Sequence, residues 1–249
     1  MAPDAPGALP LRQVRISDQI ADRIVRYIAE SGLSVGDPLP SENEWARMLG
    51  VSRPSVREAT NTLAGRGLIQ IATGKSPTVL SLSEQPFSVL VGHALTTGQI
   101  TTLQVMEVRR GIEENAAALA ARNRTDTDVA ALERILAGLR RAVGDIEAFT
   151  KPDIAFHRAM ARATGNLLLS SIMAGMAGVV LESSRVGLSY VRTPVEWDEI
   201  LAVHEHVVAA VKDADPERAR QAMQAHFDSA QRRFEREAEI NREQETRRT

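Results

Sequence analysis

The 249-residue sequence contains no cysteine. Disulfide bonds, thiolate metal sites and cysteine nucleophiles are therefore excluded. Aromatic residues make up only 4% of the chain, so its cores must rely on aliphatic side chains, alanine and methionine. No apolar run approaches the length of about 20 residues that a membrane-spanning helix requires. The first ten residues hold three prolines and no basic region, which predicts a flexible tail over 1–13 rather than a signal peptide, and hence a cytoplasmic protein.

A strong excess of charge of either sign is also missing, because the net charge is −2 at neutral pH. This average alone argues against a nucleic-acid binder. Between Trp45 and Lys75, however, the sequence has five basic residues and one acidic residue, Glu58, which gives a local charge of +4. DNA responds to local potential rather than to the chain average, so this segment remains a candidate for DNA binding.

Residues 39–68 have the pattern of two short helices joined by a tight turn. Ser41 and Glu44 have the spacing of a capping box at the start of the first helix. Gly50 is expected to end that helix, because glycine enters the left-handed region at little cost, and Ser52 is expected to cap the next. The pattern predicts a helix-turn-helix, whose second helix can lie in the DNA major groove.

The expected DNA contacts lie on this second helix and on a hairpin that follows it. Arg53 and Arg57 are four residues apart and share one helical face, which Asn61 continues. A strand over 68–72 and a return strand over 78–80 predict a wing whose tip can touch phosphate. The predicted contacts are Ser52, Arg53, Ser55, Arg57, Asn61, Gly74 and Lys75.

From residue 99 onward the pattern is helical throughout, with no second strand region. The predicted helices are Leu103–Arg122, Asp128–Val143, Glu147–Thr164, Leu167–Val186, Val195–Asp213 and Pro216–Ile240. The chain is therefore predicted to be mainly α, with a winged helix-turn-helix over 14–80 and an all-α bundle of six or seven helices over 99–240. A linker over 81–98 joins them, with a short helix over Phe87–Leu95 as an alternative within it, and a polar tail covers 241–249.

Four side chains of the bundle have the character of metal ligands. Asp153 and His157 are four residues apart, so they project from the same face of one helix. His204 and His226 lie in the two helices at the end of the bundle. A carboxylate and imidazoles that converge inside a bundle suit a divalent metal such as Zn, Ni, Mn or Fe. Spacing alone favours the alternative, in which these histidines are ordinary surface or core residues.

The segment from Val14 to Leu80 resembles the winged helix-turn-helix of the GntR family of bacterial transcription regulators. The resemblance is carried by Gly36-Asp37-Pro38-Leu39-Pro40-Ser41-Glu42, by Leu49-Gly50-Val51-Ser52-Arg53-Pro54-Ser55-Val56-Arg57-Glu58-Ala59 and by Gly67-Leu68-Ile69. It implies DNA contacts from Arg53, Arg57 and the wing tip. Asn43 stands where the family usually has a further arginine.

The stretch from about Leu103 to Phe227 resembles the FCD effector-binding domain, the partner of GntR heads in the FadR subfamily. The matching segments are Glu107-Val108-Arg109-Arg110-Gly111-Ile112-Glu113, Asp153-Ile154-Ala155-Phe156-His157, Gly165-Asn166, Asp215-Pro216 and Ala222-Met223-Gln224-Ala225-His226. The resemblance implies that the metal ligands are Asp153, His157, His204 and His226, and not His206. Arg109 and Asn166 are the expected effector contacts. A salt bridge to Glu113, four residues along the helix, is an equal alternative for Arg109.

These features together predict a homodimeric, ligand-responsive transcription regulator that acts as a repressor on a palindromic double-stranded DNA operator. The expected effector is a small carboxylate or a sugar acid, bound beside the metal, whose uptake or catabolism the protein controls. One alternative is a metal-dependent hydrolase or lyase with a DNA-binding appendage, because an open metal site can activate water. Another is an architectural DNA binder without an effector.

Overall fold

The structure, a computed structural model, describes residues 15–82 and 85–246. Within it the chain forms two compact units, one on each side of residues 83 and 84. The flexible tail predicted over 1–13 lies outside the described residues. So do the last three residues of the predicted polar tail.

The first unit consists of three helices and a two-stranded antiparallel sheet. Its elements are α1 (Ile16–Glu30), α2 (Glu42–Leu49), α3 (Arg53–Gly65), β1 (Ile69–Gln70) and β2 (Thr78–Val79). In the sheet Ile69 lies opposite Val79. The core is formed by buried apolar side chains from all three helices and from β1, among them Ile20, Ile24, Trp45, Val56, Leu63 and Ile69. The predicted winged helix-turn-helix is therefore confirmed.

Local hydrogen bonds explain where the helices of this unit begin and end. The Ser41 hydroxyl accepts from the backbone amide of Glu44 at 3.3 Å, and the Glu44 carboxylate accepts from the amide of Ser41 at 2.7 Å. Gly50 follows α2 with a φ of 65°, in the left-handed region. The Ser52 hydroxyl accepts from the amide of Ser55 at 3.3 Å and caps α3. The predicted capping box, glycine stop and second cap are all present.

The second unit is an all-α bundle, as predicted. Its helices are α4 (Gln85–Thr96), α5 (Thr102–Asn123), α6 (Asp126–Ala142), α7 (Ile146–Ala163), α8 (Leu167–Gly175), α9 (Ala177–Ser189), α10 (Pro194–Lys212) and α11 (Pro216–Thr246). The main core combines alanine and leucine with three of the five phenylalanines: Phe149, Phe156 and Phe227. These scarce rings pack around the histidines of α7, α10 and α11.

The predicted range 99–240 contains seven helices, α5 to α11, within the predicted six or seven, and α4 precedes them; two predictions about individual elements were nevertheless incomplete. The stretch 81–98, predicted as a linker, contains the twelve-residue α4, which packs on α8 and α9. Its apolar residues lie on several faces, so no helical period marks it. The single helix predicted over Leu167–Val186 is two helices that meet at Met176 with a bend of 56°. Glycines on both sides of Met176, at 175 and 178, weaken a continuous helix there.

The other departures concern the end of the chain and its apolar helices. α11 continues to Thr246, well into the predicted polar tail. No single helix among the described residues is long and apolar enough to cross a membrane, and only the bent pair of α8 and α9 would reach that length and composition together.

Candidate DNA surface and metal centre

The exposed face of α3 carries the side chains that were predicted to contact DNA. Arg53, Arg57 and Asn61 are all exposed, whereas Val56 and Leu63 on the opposite face are buried. The helix is thus held by its apolar face and presents its polar face to solvent. This arrangement is the one that a major-groove recognition helix requires.

The remaining predicted contacts lie at the start of α3 and at the turn of the hairpin. The hydroxyl groups of Ser52 and Ser55 are 2.8 Å apart and hydrogen bond to each other. Gly74, with a φ of 75°, and Lys75 are exposed between β1 and β2. These positions leave Lys75 free to approach a phosphate group.

Arg57 has a partner that the sequence analysis did not identify. Its guanidinium forms an exposed ion pair with Glu42 of α2, with 3.0 Å between Nη2 and Oε2. The hydrogen bond from Arg57 is the largest influence on the pKa of Glu42 and lowers it. An exposed pair of this kind contributes little to stability, so Arg57 can exchange Glu42 for a phosphate or a base.

Three of the four predicted metal ligands form a cluster in the second unit, and the fourth lies next to it. His204 Nε2 lies 3.0 Å from Asp153 Oδ1, and His226 Nε2 lies 3.2 Å from His204 Nε2. His157 Nε2 is 3.8 Å from the same Asp153 oxygen. Donor atoms that each stand about 2.1 Å from one shared ion have separations of this size. Helices α7, α10 and α11 therefore bring Asp153, His204 and His226 into one cluster, and His157 lies beside it, next to Asp153.

The ring nitrogens that face away from this point determine which nitrogen can bind a metal. His204 Nδ1 lies 2.7 Å from the carbonyl oxygen of Ile200 and must donate to it, because a carbonyl has no proton to give. His157 Nδ1 hydrogen bonds to the carboxylate of Glu113 in the same way. Each neutral ring then turns the lone pair of Nε2 inward. Lone pairs that face a carboxylate oxygen repel it unless a cation or an added proton lies between them, so the donor set fits a metal ion.

The charges at the centre agree with this fit. Burial alone would raise the pKa of Asp153, but the close contact with His204 and the positive charge that the nearby histidines carry when protonated outweigh it and hold the pKa below its usual range. Burial, followed by the charges of His204 and His157, lowers the pKa of His226 well below its usual value. An ionised carboxylate and a neutral imidazole are the forms that bind metals.

Groups around the ligands fix their orientation. The Ser184 hydroxyl of α9 donates to Asp153 Oδ2 at 2.6 Å. Glu113 of α5, which the sequence analysis considered only as a salt-bridge partner, is buried and contacts both His157 and Arg109. Burial raises the pKa of Glu113, but its contacts with His157 and Arg109 lower it by more, so the net shift is downward.

A cavity of about 50 Å³ adjoins the four ligands. Arg109 lines it and is also bound to Glu113 at 2.9 Å and to the Ser183 hydroxyl at 3.2 Å, so the alternative salt bridge is present and the effector contact stays a prediction. Asn166, the other predicted effector contact, does not line the cavity. It is exposed and caps α8 by accepting from the amide of Leu169 at 3.2 Å, so that prediction was wrong.

Arg233 is a further cation at the cavity wall, which the sequence analysis missed. It follows His226 by two turns of α11 and so lies on the same face. Its Nη1 donates to the Ser229 hydroxyl at 2.9 Å, but its buried Nε has no hydrogen-bond partner and no carboxylate pairs with it in the part of the chain that the structure describes. Burial lowers the pKa of Arg233 to about 10, which still leaves it cationic near neutral pH.

The far wall of the cavity is formed by a close contact between α9 and α11. The ring of Phe234 packs against Gly187, where an added Cβ would lie 3.1 Å from Cε2. His206, by contrast, is exposed on another face of α10 and does not reach the centre.

Comparison with known proteins agrees with the two-unit organisation. The profile described as "Bacterial regulatory proteins, gntR family" matches residues 16–79, and the profile of the FCD domain matches residues 104–229. The chain is 31% identical over 204 residues to the HTH-type transcriptional regulator LutR of Bacillus subtilis, which covers 80% of this chain and 92% of that protein. It is 30% identical over 219 residues to the putative L-lactate dehydrogenase operon regulatory protein of Escherichia coli, with 86% of this chain and 84% of that protein covered.

Two further similarities extend the comparison. The HTH-type transcriptional repressor NanR of Cronobacter sakazakii is 29% identical over 229 residues, which cover 90% of this chain and 86% of that protein. The solved structure of Streptococcus agalactiae GntR superposes with a TM-score of 0.63 at 29% identity, over 87% of this chain and 99% of that chain.

The geometry of the centre predicts which histidines retain a metal ion. We expect about one divalent ion per chain in the wild type, and loss of most of it in His157→Ala and His204→Ala, because each variant removes an inward-facing donor. The matched variant His206→Ala should retain the ion, since that ring is exposed. Elemental analysis after dialysis against Zn²⁺ measures the occupancy. Full occupancy in both ligand variants, or loss in His206→Ala alone, would contradict the assignment.

Proposed function

The chain belongs to the FCD-containing GntR family of bacterial transcription regulators, and we propose that it is a metal-containing repressor that a short carboxylic acid releases from DNA. It is a regulator rather than the metal-dependent hydrolase or lyase considered as the alternative, because the relatives are named regulators. The observation that carries the effector part of the proposal is a cavity with ligand atoms on one side and an unpaired cation on the other.

The metal part of the proposal rests on the chemistry of the donor set. Asp153, His157, His204 and His226 would hold the ion, with three neutral imidazoles and one carboxylate that suit Zn, Ni, Mn or Fe. When bound, the ion would supply a positive centre for an oxygen of the effector. Ser184 orients Asp153 through its hydroxyl group, so the carboxylate is held in one rotamer before any ion arrives.

The size of the cavity indicates the class of effector. About 50 Å³ corresponds to roughly three to five water-sized volumes of about 10–15 Å³ each, which is the scale of a carboxylate with two to four carbons. This volume favours a short acid over a sugar acid. The name of the Escherichia coli relative refers to an L-lactate dehydrogenase operon, and lactate is a hydroxy acid of this size.

Arg233 is the residue best placed to receive the carboxylate. A partly buried guanidinium whose Nε lacks a hydrogen-bond partner is costly, and an effector carboxylate would supply the missing partner. Arg109 already shares its charge with Glu113 and so needs no further anion. We therefore assign the main charge contact to Arg233 and an orienting contact to Arg109.

A homodimer is the assembly that suits a palindromic operator, because each half-site needs one head. The second unit has apolar side chains that could form its interface. α4 buries none of its residues, and Val89 and Leu90 are 67% and 64% exposed. α4 packs on α8, where Leu167 and Leu168 are 65% and 59% exposed. A continuous apolar patch of this kind is typical of a surface that a partner subunit covers.

A DNA-bound regulator of this family would act in the bacterial cytoplasm.

The assignment of Arg233 leads to a binding prediction. With L-lactate and acetate as probes, Zn²⁺-loaded Arg233→Ala should bind at least about tenfold more weakly than wild type, because one partner of a buried charge pair is missing. Arg232→Ala, an exposed neighbour on α11, is the matched control and should bind as wild type does. Isothermal titration calorimetry measures both. No binding of any two- to four-carbon acid by the wild type would overturn the proposed effector class, and equal binding by Arg233→Ala would overturn the anchor.

The polar face of α3 leads to a prediction about DNA binding. On a site selected by the wild type from random DNA, Arg53→Ala and Arg57→Ala should each weaken binding about 5- to 150-fold if the lost contact is bidentate to a base. If the lost contact is to phosphate, the salt slope should fall by about one. Arg26→Ala removes an exposed arginine from α1 and serves as the control. Gel shifts and salt titrations that match wild type for both α3 variants would show that this helix does not read DNA.

The exposed apolar patch leads to a prediction about assembly. Wild type should be a dimer at micromolar concentration, and Leu168→Asp should shift it toward monomer, because a charge would be buried at the interface. Val195→Asp alters an equally exposed apolar residue at the start of α10 and should leave the dimer intact. Light scattering distinguishes the two. A monomeric wild type with and without DNA, or a dimeric Leu168→Asp, would be inconsistent with this interface.

A further inference from the structure

Glu113 has two partners with different roles in the proposed function. Its Oε1 accepts from Nε of Arg109 at 2.9 Å, and its Oε2 hydrogen bonds to Nδ1 of His157. All three side chains are buried. Arg109 lines the cavity, and His157 belongs to the ligand set, so one carboxylate connects the two.

We propose that Glu113 is a positioning residue that fixes the tautomer of His157, so that this ring offers Nε2 to the metal. The inference rests on the proposed metal centre. A carboxylate can only accept hydrogen bonds, so its contact with Nδ1 requires a proton on that nitrogen. A neutral imidazole protonated at Nδ1 has its lone pair on Nε2, the atom that faces Asp153.

His204 and His157 differ in the group that fixes the tautomer of each ring. His204 donates Nδ1–H to the carbonyl of Ile200 in its own helix, so its tautomer is set by the local backbone. His157 depends instead on a carboxylate 44 positions away in the sequence, on α5. Arg109 keeps this carboxylate in place from one turn earlier on the same helix. The orientation of His157 is therefore a property of α5 as well as of α7.

Glu113→Gln provides a direct test. Glutamine has nearly the same shape as glutamate, but an NH₂ group that donates hydrogen bonds replaces one of the two accepting oxygens. Its amide oxygen can still accept from Arg109, which leaves its NH₂ group facing His157 Nδ1. A donor at that place favours the tautomer with the proton on Nε2, which cannot bind a metal. We expect Glu113→Gln to weaken Co²⁺ binding about 10- to 100-fold, the usual effect of removing such a partner.

Competition with a chelator, followed by the visible absorption of bound Co²⁺, measures the affinity. Glu114→Gln is the matched control, since Glu114 is the adjacent residue and pairs with Arg110 at 2.9 Å in an equivalent i,i+4 arrangement away from the histidines. This variant should bind Co²⁺ as wild type does. Equal Co²⁺ affinity in Glu113→Gln and wild type would overturn the inference.

A double-mutant cycle separates positioning from a general loss of structure. If Glu113 acts through His157, then Glu113→Gln should have little additional effect on Co²⁺ affinity in a His157→Ala background. A full additive loss would mean that Glu113 supports the site in another way and would overturn the inference. Where Glu113→Gln alone folds poorly because Arg109 is left charged, Arg109→Gln/Glu113→Gln removes both charges and presents the same amide to His157.

A readout without metal distinguishes this inference from the proposed function. Nitrogen-15 NMR of the metal-free protein should show His157 protonated at Nδ1 in wild type and at Nε2 in Glu113→Gln. If wild type binds no Co²⁺ but the tautomer changes as expected, the metal centre fails and the positioning role stands. If wild type binds Co²⁺ and the tautomer is the same in both proteins, the positioning role fails and the metal centre stands.

Discussion

A carboxylate buried among imidazoles constrains how the whole second unit can pack. Removing an ionised group such as Asp153 from water costs several kcal/mol, which must be offset by donors or cations around it. Those groups come from several helices: a hydroxyl from α9 and rings from α7, α10 and α11, and the ring from α7 is held in turn by Glu113 of α5. The packing of these helices therefore depends on the polar groups that they place around Asp153 as well as on their apolar faces.

The two units differ in where they place their polar and apolar side chains. The head buries an apolar core between its three helices and the wing, and it exposes the polar face of α3. The bundle is built from contacts between distant segments, and its polar groups are turned inward toward a cavity. Each unit therefore has an apolar core of its own.

Much of the fold and part of the site could be predicted from the sequence, because the relevant signals are local. The Ser41–Glu44 capping box and the Asp153–His157 spacing involve residues three or four positions apart, and such pairs have defined geometry on a helix. Glu113 and Arg233 were missed as parts of the site, since their roles depend on side chains that come together only when α5, α7 and α11 pack. The same reasoning explains the error at Asn166, where a family motif marks a helix cap rather than a ligand contact.

The contact between Gly187 and Phe234 limits the volume of the cavity without involving Asp153 or the histidines. A side chain at position 187 would displace the Phe234 ring, whose outer atoms lie 3.1–3.5 Å from where a Cβ would stand. Neither residue forms a hydrogen bond with the ring nitrogens of the histidines. Paralogues that differ at this one position of α9 would therefore differ in the space left inside the cavity, while the histidine cluster and the polar face of α3 would stay the same.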